Sequence, residues 1–146
     1  MEKIKMAKAR RIFTAEEIKE KLAPLFKDKD LQLALLFGST VSGKFKKQRS
    51  DVDLAFLFDR PADILALTNR VIRLLHFDDV DVADLRYASP LLRFSVAKNG
   101  KLLFERSPGL FNEFASLAFR RYVDTKKLRE AQAKAIEHFL EKRGLA

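Results

Sequence analysis

The chain has 146 residues and no cysteine, which excludes disulfides and thiolate metal sites. Apolar residues make up 47% and charged residues 34%, the balance of a globular protein, and every apolar run is far shorter than the ~20 residues of a membrane span. The formal net charge of +9 favours anionic partners: a nucleotide, a nucleic acid or an acidic protein surface.

Met1 to Met6 carries no hydrophobic signal core, so a cytoplasmic location is expected. Thr14-Ala15-Glu16-Glu17 reads as a capping box, and Ile18, Leu22 and Leu25 recur behind it at helical spacing. This helix ends near Pro24. Leu31 to Phe37 is a short apolar run closed by glycine, the mark of a largely buried strand. Gly38-Ser39 turns the chain into a short helix through Gly43. Val52 to Phe58 is a second strand, apolar apart from Asp53. Pro61 suits the first turn of a helix that runs to about His76, and Val80 to Leu85 forms a third strand.

Asn99-Gly100 suits either a hairpin turn or a helix end. Ser89 as cap and Pro90 in the first turn favour a helix, with a short strand at Lys101 to Glu105. From Leu110 to about Arg143 a helical period dominates, with a bend or restart at Asp124-Thr125. With 13 Phe and no Trp, the core is expected to be built on Phe and Leu. The order implies one α/β or α+β domain over 1–146, with a small mixed sheet, helices packed on one face, a core at about 14–106 and a helical segment at about 110–143.

The chemistry concentrates between Gly38 and Leu54. In a strand, Asp51 and Asp53 share a face about 7 Å apart. Two carboxylates that close repel unless a proton or cation lies between them. Asp53 sits within an apolar strand, where a carboxylate needs a partner to offset its desolvation. A hard divalent cation such as Mg²⁺ takes such oxygen ligands together with substrate phosphates; a structural salt bridge to Lys or Arg is the bland alternative. Upstream, Gly38 permits close backbone approach to phosphate, and Ser39 can offer its hydroxyl and N–H. The basic loop Lys44-Phe45-Lys46-Lys47-Gln48-Arg49 lies between.

The Gly38-Ser39 turn, the later Asp51-Val52-Asp53 and the acidic run Phe77 to Leu85 together resemble the DNA polymerase β nucleotidyltransferase superfamily. Size and tail resemble its minimal nucleotidyltransferases, the MNT proteins that partner HEPN-domain toxins. The likeness covers roughly 30 to 105 well. Two departures stand out: the loop after the turn is one residue longer than the commonest spacing, and Ser42 replaces a frequent Arg, for which Lys44, Lys46, Lys47 and Arg49 are nearby substitutes.

The resemblance implies a polymerase β-like fold and a site in which Asp51, Asp53 and a third acid hold two Mg²⁺ ions, with Gly38, Ser39 and Lys44 on the nucleotide. Asp78, Asp79, Asp81 and Asp84 are all available as the third acid. Alternation puts Asp79 and Asp81 on one face and Asp84 on the other. The family's Val-Asp-hydrophobic context matches Val80-Asp81-Val82, so Asp81 is the choice and Asp84 the reserve.

The implied function is transfer of AMP from ATP to a tyrosine hydroxyl of a HEPN toxin, a ribonuclease, in an antitoxin role. Exposed apolar residues of the C-terminal helix would then meet that partner. Three competing readings remain at this stage: a small-molecule nucleotidyltransferase of the aminoglycoside-modifying kind, a catalytically inactive partner-binding antitoxin, and a nucleic-acid-binding protein using the basic surface. A membrane role is not expected.

Overall fold

The computed structural model describes residues 13–38 and 52–145. Asp51, Ser39, Lys44 and the short helix expected through Gly43 lie outside the described residues.

Helix α1 (Ala15–Leu22) opens on the expected capping box: the Glu17 N–H donates to Thr14 Oγ1 and the Thr14 N–H to Glu17 Oε1, both at 3.1 Å. A 3-10 turn at Ala23–Lys27 carries Pro24 and leads to strand β1 (Leu31–Phe37). Strand β2 (Val52–Phe58) has the expected bounds. Pro61 lies ahead of the next helix and not in its first turn: α2 (Ile64–Leu75) is capped by Asp63, which accepts from the Ala66 N–H at 3.1 Å. His76 ends α2 in the left-handed region at φ 55°.

Strand β3 (Val80–Asp84), α3 (Pro90–Asn99) and β4 (Lys101–Glu105) follow. The ambiguous stretch before Gly100 is therefore helical, with Ser89 as cap. The C-terminal segment restarts at Thr125, giving α4 (Leu110–Asp124) and α5 (Lys126–Lys142).

The four strands form one mixed sheet in the order β3-β2-β1-β4. β1 is antiparallel to β2 and β4, while β2 and β3 are parallel, joined through α2. The helices cover both faces of this sheet, where one covered face was expected. Ala34, Leu36, Leu54 and Phe56 pack with α1 and α2 residues such as Ile18, Leu22 and Val71. Leu33, Leu35 and Ala55 pack on the other side with Val96 of α3 and Phe114 of α4. The cause lies in β1 and β2, which are apolar at odd and even positions alike. Each fully buried Leu or Phe on either side is worth about 1.5–3 kcal/mol, so neither face can be left in water.

At the far end of the sheet, Arg106 ties β4 to the entry of β1. Its guanidinium donates to the carbonyls of Phe26 (2.8 Å), Asp28 (2.6 Å) and Leu31 (3.1 Å). It also lies 4.7 Å from the ring centroid of Phe104, which stacks on Phe26 at 4.6 Å. No helix among the described residues is long and apolar enough to cross a membrane.

Candidate active site

The site residues that can be placed gather where β1 ends and where β2 and β3 begin. Asp53 on β2 pairs in register with Phe37 on β1 and with Asp81 on β3. Parallel register partners sit about 4.8 Å apart and point to the same face. That face also carries Ala55 and Ala83, the next register pair, and it is the side on which α3 and α4 pack. Asp53 is half-buried and Asp81 exposed. One carboxylate is thus set into the sheet while its neighbour meets solvent, as a site open to substrate requires.

Gly38 follows directly on Phe37 and closes the arrangement. Its φ of +85° favours glycine, and a Cβ there would come within 2.9 Å of Asp53 Cγ. The turn is thus laid against the Asp53 carboxylate. The end of α3 borders the same corner. A Cβ on Gly100 would lie 2.5 Å from the Val96 carbonyl oxygen and 3.4 Å from that of Leu36. Gly100 has an ordinary φ of −78°, so the closeness of the Val96 carbonyl of α3, with β1 at van der Waals distance behind it, accounts for the glycine, and not a left-handed conformation. Sequence reasoning weighed Asn99-Gly100 as a hairpin turn or a helix end; its place beside the end of β1 depends on tertiary packing.

Among the other acids, Asp84 stands in register with Phe56, on the opposite side of β3 from Asp81. Its Oδ1 accepts from the Arg86 N–H at 3.0 Å, the bond of a local turn. Asp84 therefore cannot join Asp53. Asp79 aligns with Asp81 by alternation but lies before the strand, its carbonyl accepting from the Val52 N–H at 3.0 Å. Among the described residues no group of three metal-ligating side chains occurs; the expected trio includes Asp51, which lies outside them. The placed pair still fits a hard cation: two oxygen-donor carboxylates on one face, beside a backbone turn that a Cβ would fill.

Phe114 is core, and Tyr122 stacks on Phe94 at 4.0 Å. A depression of about 470 Å³ against α4, lined by Asn112, Glu113, Ser116, Leu117 and Arg120, includes none of the acids.

Comparison with known proteins identifies the family. Residues 20–109 match the family model "Polymerase beta, Nucleotidyltransferase". The protein adenylyltransferase MntA of Aphanizomenon flos-aquae (strain 2012/KM1/D3) is 28% identical over 148 residues, covering 92% of this chain and 98% of its own. A chain of a toxin-antitoxin crystal structure with AMP-PNP superposes with a TM-score of 0.70 at 30% identity, over 82% of this chain and 98% of that one. A chain of the tri-AMPylated Shewanella oneidensis HEPN toxin in complex with MNT antitoxin gives 0.68 at 29%, over 85% and 99%. The chain described here belongs to the polymerase β nucleotidyltransferase family.

Proposed function

We propose that this protein is the adenylyltransferase antitoxin of a HEPN–MNT pair, moving AMP from ATP to a tyrosine hydroxyl of its HEPN toxin. The observation that carries the reading is the in-register pair Asp53–Asp81 beside the Gly38 turn. Its relatives support the substrate and partner: one is named a protein adenylyltransferase, and solved relatives come from complexes with AMP-PNP or an AMPylated HEPN toxin.

The reaction forms a bond from the tyrosine oxygen to the α-phosphorus and breaks the α–β bridging bond, and pyrophosphate leaves. The protein's task is to hold the attacker in line and neutralise charge. Asp51, Asp53 and Asp81 would hold two Mg²⁺ ions, which supply Lewis-acid charge neutralisation when bound. Asp81, exposed at the start of β3, would accept the hydroxyl proton. Gly38 and Ser39 cradle the β- and γ-phosphates, and Lys44 adds a cation to them. Use of ATP supports a cytoplasmic location.

Intact-mass spectrometry of the HEPN protein co-expressed with this chain tests the reading. Discrete AMP additions on tyrosine are expected. An unmodified partner, with label appearing instead on an added aminoglycoside, would overturn it.

A further inference from the structure

Helix α5 buries none of its 17 residues, and Leu128, Ile136 and Phe139 are 58%, 60% and 50% exposed. A helix of this length on its own is marginal in water and draws stability from packing one apolar face. Leu128, Ala135, Ile136 and Phe139 follow i, i+7, i+8, i+11 and share one side.

Charged residues surround this stripe. Arg129, Lys142 and Arg143 edge it, and the Arg143 guanidinium lies 4.5 Å from the Phe139 ring centroid. Glu130, Glu137 and Glu141 share the opposite side of the helix with Lys126 and Lys134. The apolar stripe is thus rimmed by cations.

The root of the helix is fixed. Arg129 Nη1 donates to the Tyr122 carbonyl at 2.8 Å and to Thr125 Oγ1 at 2.6 Å. Its guanidinium lies 3.9 Å from the Tyr122 ring centroid, and that ring stacks on Phe94 of α3. The stack ties the start of α5 to α4 and α3, while Leu128, Ile136 and Phe139 stay exposed.

We infer that the α5 stripe is the docking surface for the HEPN partner and fits an apolar groove edged by carboxylates. The inference rests on the partner reading above. The cationic rim suits a partner with an acidic edge and disfavours the other occupants. Two copies of α5, packed parallel or antiparallel, would bring cationic rims together. A membrane surface is served poorly by a narrow stripe with no Trp and three carboxylates behind it.

The test uses the full chain and its cognate HEPN protein in titration calorimetry at low and high salt. Two variants are compared with wild type: Ile136→Asp/Phe139→Asp and Lys142→Glu/Arg143→Glu. Each is expected to weaken Kd about tenfold or more, and the charge variant to flatten the salt dependence. Thermal midpoint and ATP binding should stay at wild-type values, since no buried residue or site residue changes.

Variants that bind within about twofold of a wild type that does label the HEPN protein would overturn the docking surface and leave the function standing. A wild type that neither binds nor labels it would overturn both. Loss of self-association in the variants, or wild-type partition onto phosphatidylserine vesicles that the variants lose while binding HEPN normally, would also overturn the inference.

Discussion

A Cβ placed on Gly38 would run into the carboxylate of Asp53. The two residues lie fifteen positions apart with a basic loop between them, yet the antiparallel register of β1 and β2, in which Phe37 faces Asp53, brings them into contact. The contact joins the turn proposed to hold phosphate to the strand proposed to hold metal. Gly38→Ala therefore combines a left-handed φ penalty with a clash against the acid. A stability loss of about 1–2 kcal/mol is expected from the backbone strain. AMP transfer should fall far more than that loss accounts for. A melting curve alongside a transfer assay checks both, and a variant with full activity would separate the turn from the site.

Asp53 and Asp81 face the same way in register, whereas Asp84 is turned to the other side and engaged by the Arg86 N–H. Asp53→Asn and Asp81→Asn should each lower kcat by roughly 10²-fold or more, with the fold intact, because charge stabilisation at the reacting phosphate is lost. Asp84→Asn keeps an acceptor for Arg86 and should leave transfer near the wild-type rate. The reverse order, with Asp84 essential and Asp81 dispensable, would reassign the third acid.

Arg106 supports the fold far from the chemistry, binding three carbonyls of the segment that enters β1 and packing on Phe104. Arg106→Ala removes charge-assisted bonds and a packed stem at once. A loss of about 2 kcal/mol is expected, read by urea denaturation, with kcat unchanged in the folded fraction.

Arg60 donates to Asp30 across the loop beyond β2, and this hydrogen bond, aided by the guanidinium charge, holds the Asp30 carboxyl below its ordinary value of 3.8. A depressed carboxylate contributes stability that is present above its unfolded pKa and lost as pH falls through the folded one. The difference in thermal midpoint between wild type and Arg60→Met should be small, steady at neutral pH, and shrink below about pH 4. A difference that grows on acidification would contradict this linkage.

Much of the architecture was legible because local signals agreed with one another. The Thr14–Glu17 box, the Ser89-Pro90 start and the apolar runs at Leu31–Phe37 and Val52–Phe58 each placed an element by its own chemistry. The same runs, apolar on both faces, already called for two covering layers; the expectation of one layer followed from element order and overlooked that pattern. Alternation along Asp79 to Asp84 separated Asp81 from Asp84 correctly, since a period of two survives in any strand.

What the sequence withheld depends on distant contacts. The packing of Gly100 against Leu36 joins residues far apart in the chain, and no local motif announces it. The Arg129–Tyr122–Phe94 stack similarly links α5, α4 and α3, three helices whose mutual placement no periodicity encodes.

The central claim is that aspartates gathered beside a glycine turn drive AMP transfer to the HEPN partner. Its most direct test is incubation of the pure chain with α-labelled ATP, Mg²⁺ and the cognate HEPN protein, run in parallel with the Asp51→Asn/Asp53→Asn variant. Label on a HEPN tyrosine with wild type, and none with the variant or with EDTA, is the predicted result. Undiminished labelling by the folded double variant would contradict it.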